Sequence, residues 1–184
     1  MSLPDRAFWF LRHGETDWNA RGLSQGRTDI PLNALGIAQA ERAARALAGR
    51  GIGRIVASPL ERAAHTARIV GGALSLPVEF DPDLKETCFG VQEGQPMGDW
   101  YEEWIAGRFT PEGGESFAAL RARALAAICR AVQRPGLALV VAHGALWRSF
   151  RQAAGLPANV RTPNALPLYA EPGTPWRLTP AELP

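Results

Sequence analysis

Two short, unbroken apolar runs constrain the fold of this chain most: residues 7–11 (Ala-Phe-Trp-Phe-Leu) and 137–142 (Leu-Ala-Leu-Val-Val-Ala). Each is too short for a buried helix or a membrane span, and neither alternates polar with apolar. Such runs suit strands covered on both faces, the setting of a mostly parallel sheet. The chemistry changes sharply where each run stops. Arg12, His13, Gly14, Glu15 and Thr16 follow the first, and His143 and Gly144 follow the second.

Helical signals fill the stretches between. Asn33 is placed to cap a helix over residues 34–48, which Gly49 and Gly51 end. A strand follows over residues 52–57. Ser58 is then placed to cap the next helix, with Pro59 in its first turn and Glu61 at the capping-box position. Arg62 falls near that helix start, and Gly71-Gly72 ends the helix. Residues 76–80 read as a short strand, and residues 22–29 as an irregular surface segment. Ser116 starts a long helix that stops before Pro135-Gly136, with Phe117, Leu120, Ala124 and Ile128 on its inward face. Another helix begins around Ala145. Strands are expected over 165–169 and 176–178. Alternating strands and helices make this an α/β chain, a three-layer sandwich with a mostly parallel central sheet flanked by helices. Ligands in such folds sit beyond the strand C-termini, so Arg12, His13, Arg62 and His143 are expected to converge there.

A length of 184 residues favours one domain over residues 1–184. Within it, the segment around 88–114 carries Pro96, several glycines and the aromatic group Trp100, Tyr101 and Trp104. It reads as an active-site cover or specificity element, with packing preferred for at least one tryptophan because large rings need burial. The formal net charge of +2 is too small to imply nucleic acid or membrane as a partner. Lys85 is the only lysine, so nearly all positive charge is arginine, which suits forked recognition of phosphate or carboxylate. Cys88 and Cys129 match no metal-ligand spacing and no disulfide framework, and Cys129 reads as a buried thiol. With no apolar leader, these features point to a cytoplasmic protein. The sequence names no oligomeric state.

Read from the residues, the site is one for phosphoryl transfer. Arg12 and Arg62 can each hold phosphate oxygens with charge-assisted forks worth about 1.5–3 kcal/mol. His13 is the candidate nucleophile; the neighbouring arginines favour its neutral form. His143 can donate to a phosphate oxygen, and the two imidazoles are expected to face each other across one anion. His65, between alanines in a helix, is read as a surface or packing residue. A leaving alcohol needs a proton, and Glu86 is the leading acid, although spacing alone does not separate it from Glu15, Glu93 or Glu115.

Taken in order, these residues closely resemble the histidine phosphatase superfamily, also called the phosphoglycerate mutase-like family. The resemblance rests on Arg12-His13-Gly14-Glu15-Thr16 with Asn19, Gln25-Gly26, Asp29 with Leu32, Leu35-Gly36, Gln39-Ala40, Ser58-Pro59-Leu60 with Arg62-Ala63 and Thr66-Ala67, Leu84 with Glu86, Gly113-Gly114-Glu115-Ser116, and His143-Gly144. It implies a phosphoglycerate mutase-like fold and a phosphohistidine on His13. It also implies a phosphate pocket of Arg12, Arg62 and His143, with Asn19 bonding beside it and Thr16 adding a hydroxyl contact. Glu86 becomes the proton donor and then the base for water. Gln25, Gly26 and Gly144 are placed at the substrate. No metal or organic cofactor is implied, and the partners are a small-molecule phosphomonoester and inorganic phosphate.

The main alternative within the family is a cofactor-dependent phosphoglycerate mutase. Against it, the chain is short and lacks the long basic insertion between the regions of Glu86 and Ser116. Ala145 also stands where those mutases commonly carry asparagine. Relatives often read Gly-x-Trp-Glu-Gly where this chain has Gly90-Val91-Gln92-Glu93-Gly94, so substrate preference does not transfer simply. A small organic phosphate, with α-ribazole phosphate among the candidates, is the expected substrate. The alternative outside catalysis is a phosphate-binding regulatory protein, against which His13 and Glu86 together argue.

Overall fold

A computed structural model describes residues 3–184. Its centre is one six-stranded sheet formed by β1 (Phe8–Arg12), β2 (Ile52–Ala57), β3 (Val78–Phe80), β4 (Leu137–Ala142), β5 (Pro167–Glu171) and β6 (Arg177–Pro180), in the order β3-β2-β4-β1-β5-β6. The pairs β1–β4, β2–β4 and β2–β3 are parallel, while β5 and β6 add antiparallel strands at one edge. The two apolar runs lie side by side at the middle, as two-sided burial requires.

Side chains of β1 alternate between two cores. Phe8 and Phe10 join Leu120, Ile128, Val140 and Phe150 on one face, under α5 (Phe117–Gln133) and α6 (Gly144–Ala153). Trp9 and Leu11 join Leu47, Ile55, Val70 and Val141 on the other, under α2 (Ala34–Leu47) and α3 (Glu61–Leu74). This gives the expected three layers. Trp147 of α6 stacks on Phe10 at 3.9 Å and on Phe150 at 4.7 Å between ring centroids. Each such pair adds about 0.5–1.5 kcal/mol beyond burial, and here they pin the start of α6 to the sheet.

Several local readings hold. Asn33 accepts from Gly36 N at α2, and Ser116 accepts from Ala119 N at α5. The start of α3 differs. Its N-cap is Leu60, with no side-chain cap, and the Glu61 amide instead donates to Asp29 Oδ1 at 2.8 Å. Ser58 is drawn away to His143, so a distant carboxylate does the capping. The helix also runs through Gly71-Gly72 to Leu74 and ends at Ser75 in the left-handed region. A four-residue helix, α1 (Asp17–Ala20), follows Thr16 and was not anticipated. The short α4 (Trp100–Ile105) lies at the expected aromatic group, with Trp104 fully buried and its Nε1 donating to Glu115 O. Cys129 is only partly buried, because it lies off the inward stripe of α5. Among the described residues no helix is long and apolar enough to cross a membrane.

Candidate active site

Parallel pairing brings the chemistry together. Arg12 lies opposite Ala142, and His13 N donates to Ala142 O at 3.0 Å. The residues after β1 and β4, His13 and His143, are therefore neighbours, with ring centroids 5.3 Å apart and planes tilted by 56°. At that spacing no phosphate fits between them. The expectation of rings opposed across an anion is corrected: they stand side by side, and an anion meets them from one direction. β2 delivers Ser58, whose amide donates to Val141 O, and the first turn of α3 delivers Arg62. A cavity of about 300 Å³ opens at these strand ends and is lined by Arg12, His13, Asn19, Arg62 and Glu86, with Gln25, Gly26 and Gly144 in its wall.

Backbone closeness sets the position of His13. A Cβ on Gly14 would lie 2.3 Å from Gly36 O, so the turn after His13 packs directly on α2. Gly14 N donates to Thr66 Oγ1, which donates on to Arg62 O, while Asn164 Nδ2 donates to His13 O and to Asn19 Oδ1.

The hydrogen bond of His13 assigns its tautomer. His13 Nδ1 lies 2.7 Å from Gly14 O, and a carbonyl only accepts. Nδ1 therefore carries the hydrogen and Nε2 keeps its lone pair. His143 Nε2 lies 2.7 Å from Ser58 Oγ, a hydroxyl that both donates and accepts, and His143 Nδ1 has no partner. Burial, then Arg62 and Arg12, holds the His13 pKa well below the usual 6.5. Burial, then Arg62, His13 and Arg12, does the same at His143. Both rings are neutral at pH 7, as a nucleophile and a hydrogen-bond donor require.

Arg62 is 1% exposed and donates to Gly26 O and Thr28 O, tying the 24–28 loop to α3. Arg12 donates to Thr162 O at 2.6 Å. The Nε atoms of both are buried without a partner, as are His143 Nδ1 and the acceptor Gln25 Oε1. Burial and nearby Arg148 lower Arg12 to about 10, and burial lowers Arg62. Buried N–H groups left unpaired cost about 1–3 kcal/mol each, and the two arginines that carry such Nε atoms here both line the cavity, an arrangement suited to an acceptor-rich anion.

Glu86 is nearly buried. Its Oε2 accepts from Ala145 N at 2.8 Å, and its Oε1 accepts from Leu146 N at 3.0 Å and Thr87 N at 3.1 Å. Of the four carboxylates that spacing left open, Glu86 is the one that lines the cavity. Glu93 instead braces the backbone of Arg27, Thr28 and Phe89, Glu115 pairs with Arg123, and Glu15 accepts from Asn33 Nδ2.

Two expected contacts fall elsewhere. Thr16 is buried as the N-cap of α1, accepting from Asn19 N, and does not line the cavity. His143 is fully buried, and Gly144 and Ala145 rather than its ring form the cavity wall beside it. His65 is half-buried in α3, away from the lining. Sequence reasoning passed over Ser58 as a partner of His143, Asn164, and the lining residues Arg148 and Arg161. Arg148 alone carried a signal, since it lies one helical turn after Gly144 on the same face.

The sequence profile of the histidine phosphatase superfamily (branch 1) matches residues 8–166. A probable phosphoglycerate mutase, GpmB of Proteus mirabilis (strain HI4320), is 37% identical over 164 residues, covering 82% of this chain and 75% of its own. A mycobacterial glucosyl-3-phosphoglycerate phosphatase solved with VO3 superposes with a TM-score of 0.79 at 31% identity, over 94% of this chain and 97% of that one. A candidate alpha-ribazole-5'-P phosphatase from Escherichia coli K-12 superposes with a TM-score of 0.80 at 31% identity, over 96% of this chain and 95% of that one.

Proposed function

This chain belongs to the histidine phosphatase superfamily, and from that premise we propose that it is a metal-independent phosphomonoester hydrolase acting on a small organic phosphate through phosphohistidine. The observation that carries the reading is the pair of unpartnered donors, Arg12 Nε and Arg62 Nε, on two arginines that line one cavity with a neutral His13. His13 Nε2 attacks phosphorus as the bond to the alcohol oxygen breaks. That oxygen keeps the electron pair and takes a proton from Glu86. Water then attacks the phosphorus of phosphohistidine and gives a proton to Glu86, and the P–N electron pair returns to Nε2. Inorganic phosphate leaves, and the starting protonation state is restored.

Arg12, Arg62 and His143 hold the equatorial oxygens through both steps, an electrostatic role that is usually the largest single contribution. Asn19, Gln25, Gly26 and Gly144 border the bound group. Thr16 acts one step back, by fixing the position of Asn19. In the same reading the chain is one domain, and the segment around 88–114 is its cover and specificity element, because Phe89, Met97 and Tyr101 face the cavity. The named activities of the structural relatives, against glucosyl-3-phosphoglycerate and α-ribazole phosphate, agree with a hydrolase.

The test is acid-labile phosphohistidine trapped from a labelled monoester in the intact protein and absent in His13→Ala. Release of phosphate without any such intermediate in rapid-quench samples would overturn the covalent route. The second reading, a phosphoglycerate mutase, is favoured by the name of the curated relative. Rapid isomerisation of 3-phosphoglycerate with little phosphate release would establish it instead.

A further inference from the structure

The cavity holds more positive charge than one phosphate needs. Arg12 and Arg62 serve the phosphoryl group, yet Arg148 and Arg161 line the same cavity, and Glu86 is the one carboxylate in the wall. Arg27, Arg68, Arg108, Arg123, Arg130, Arg134 and Arg177, all outside the cavity, each face a carboxylate within salt-bridge distance. Among the described residues none of the four cavity arginines does. A phosphate dianion offsets two of the four guanidinium charges and leaves two.

Arg148 is the better held of the remaining pair. It lies one turn into α6, and Gly144 separates it from Arg12. A Cβ on Gly144 would lie 3.5 Å from Arg12 Nε and 3.6 Å from Arg148 Nη1, so the two guanidinium groups flank that bare α-carbon. Arg148 Nη1 donates to Tyr101 Oη at 3.1 Å, and its charge sits 5.2 Å from the Tyr101 ring centroid. Both partners are neutral. Arg148 Nε is buried and has no partner. Burial raises the Tyr101 hydroxyl to about 12, so it keeps its proton at neutral pH. Having accepted from Arg148, it still has that proton to donate.

We propose that Arg148, with the Tyr101 hydroxyl and with Arg161 at the rim, is a specificity-determining subsite for a second oxyanion. The favoured substrate is then a phosphomonoester that carries another negatively charged group, a carboxylate or second phosphate, a few bonds from the scissile phosphate. This deepens the phosphatase reading and rests on it.

A matched set of esters tests this. Ethylene glycol monophosphate, 2-phosphoglycolate and ethylene glycol bisphosphate differ only at the group distant from the scissile bond. With the intact protein, kcat/KM is expected to be about tenfold or more higher for an ester with a second anion, the value of one charge-assisted bond. The better of phosphoglycolate and the bisphosphate identifies the anion. Arg148→Met is expected to collapse the ratio between anionic and neutral esters towards unity, whatever it does to absolute rates. Arg148→Lys, which keeps charge but not the fork, is expected to retain part of the ratio. Equal losses on all esters in Arg148→Met, or no preference in the intact protein, would overturn the subsite.

Titration calorimetry with His13→Ala separates this failure from that of the phosphatase reading. Tighter binding of the doubly anionic ester without phosphate release by the intact protein sinks hydrolysis and keeps the subsite. Hydrolysis without preference in rate or affinity does the reverse.

Discussion

Glu86→Gln tests the chemistry and the architecture together. The carboxylate accepts from three backbone amides, Thr87 N, Ala145 N and Leu146 N. A glutamine amide has one oxygen and one NH2. With its oxygen kept towards Leu146 and Thr87, its NH2 points at Ala145 N, donor against donor at a site 2.8 Å wide. One unsatisfied buried amide costs about 1–3 kcal/mol. A cost of about 2 kcal/mol lowers Tm by roughly 4–8 °C for a chain of this length, and the protein stays folded.

The catalytic loss depends on the leaving group. Removing a general acid costs about 10²–10⁴-fold where the alcohol needs a proton. 4-Nitrophenolate leaves without one. Alkyl phosphate turnover is therefore expected to fall by at least about a hundredfold more than 4-nitrophenyl phosphate turnover in rapid-quench measurement of phosphohistidine formation. Equal losses on the two esters would refute the acid role. An unchanged Tm would refute the three-amide cradle.

Ser58→Ala removes the hydrogen bond that holds His143 Nε2; kcat is expected to fall about ten- to a hundredfold, with altered imidazole nitrogen shifts by NMR. Unchanged shifts would remove Ser58 from that role. Gly14→Ala forces a methyl onto Gly36 O and is expected to cost about 1–3 kcal/mol. Gly72→Ala, on an exposed helix face with nothing near, is expected to be neutral or to stabilise by up to about 1 kcal/mol; urea midpoints that rank the two the other way would contradict the packing. Burial first and nearby arginines second hold both site histidines well below their usual 6.5, so between those values the unfolded chain binds more protons than the folded one. Stability is thus intact above pH 6.5 and declines as pH falls below it, by up to about 1.4 kcal/mol per pH unit for each ring. Denaturation midpoints at pH 7.5, 6.5 and 5.5 should show this, and His143→Gln should roughly halve the slope; a flat profile would mean that the rings are not held neutral.

Much of the fold was legible in local pattern. The unbroken runs at 7–11 and 137–142 became β1 and β4 because two-sided burial leaves no place for polar alternation. Asn33 and Ser116 became caps because their oxygens reach amides three residues on. His13 and His143 could be paired from sequence, since each ends such a strand and parallel neighbours end together. The final strands were placed one to two residues early, because their extent depends on antiparallel pairing, β5 with β1 and β6 with β5, which no local signal encodes.

Only the tertiary structure decided what depends on atoms distant in the chain. Ser58 offers the same hydroxyl to a helix start or to His143, and the adjacency of β2 and β4 settled it. Asp29 then took over the cap of α3. Among four candidate carboxylates, Glu86 stands apart because it lines the cavity, where α6 aims its free amides at it. Arg148 lines the cavity with a buried Nε that has no partner, and that is a property of the assembled cavity. Periodicity and capping act over a few residues and are written in the sequence. Hydrogen-bond competition and charge balance are settled by which groups packing brings within reach.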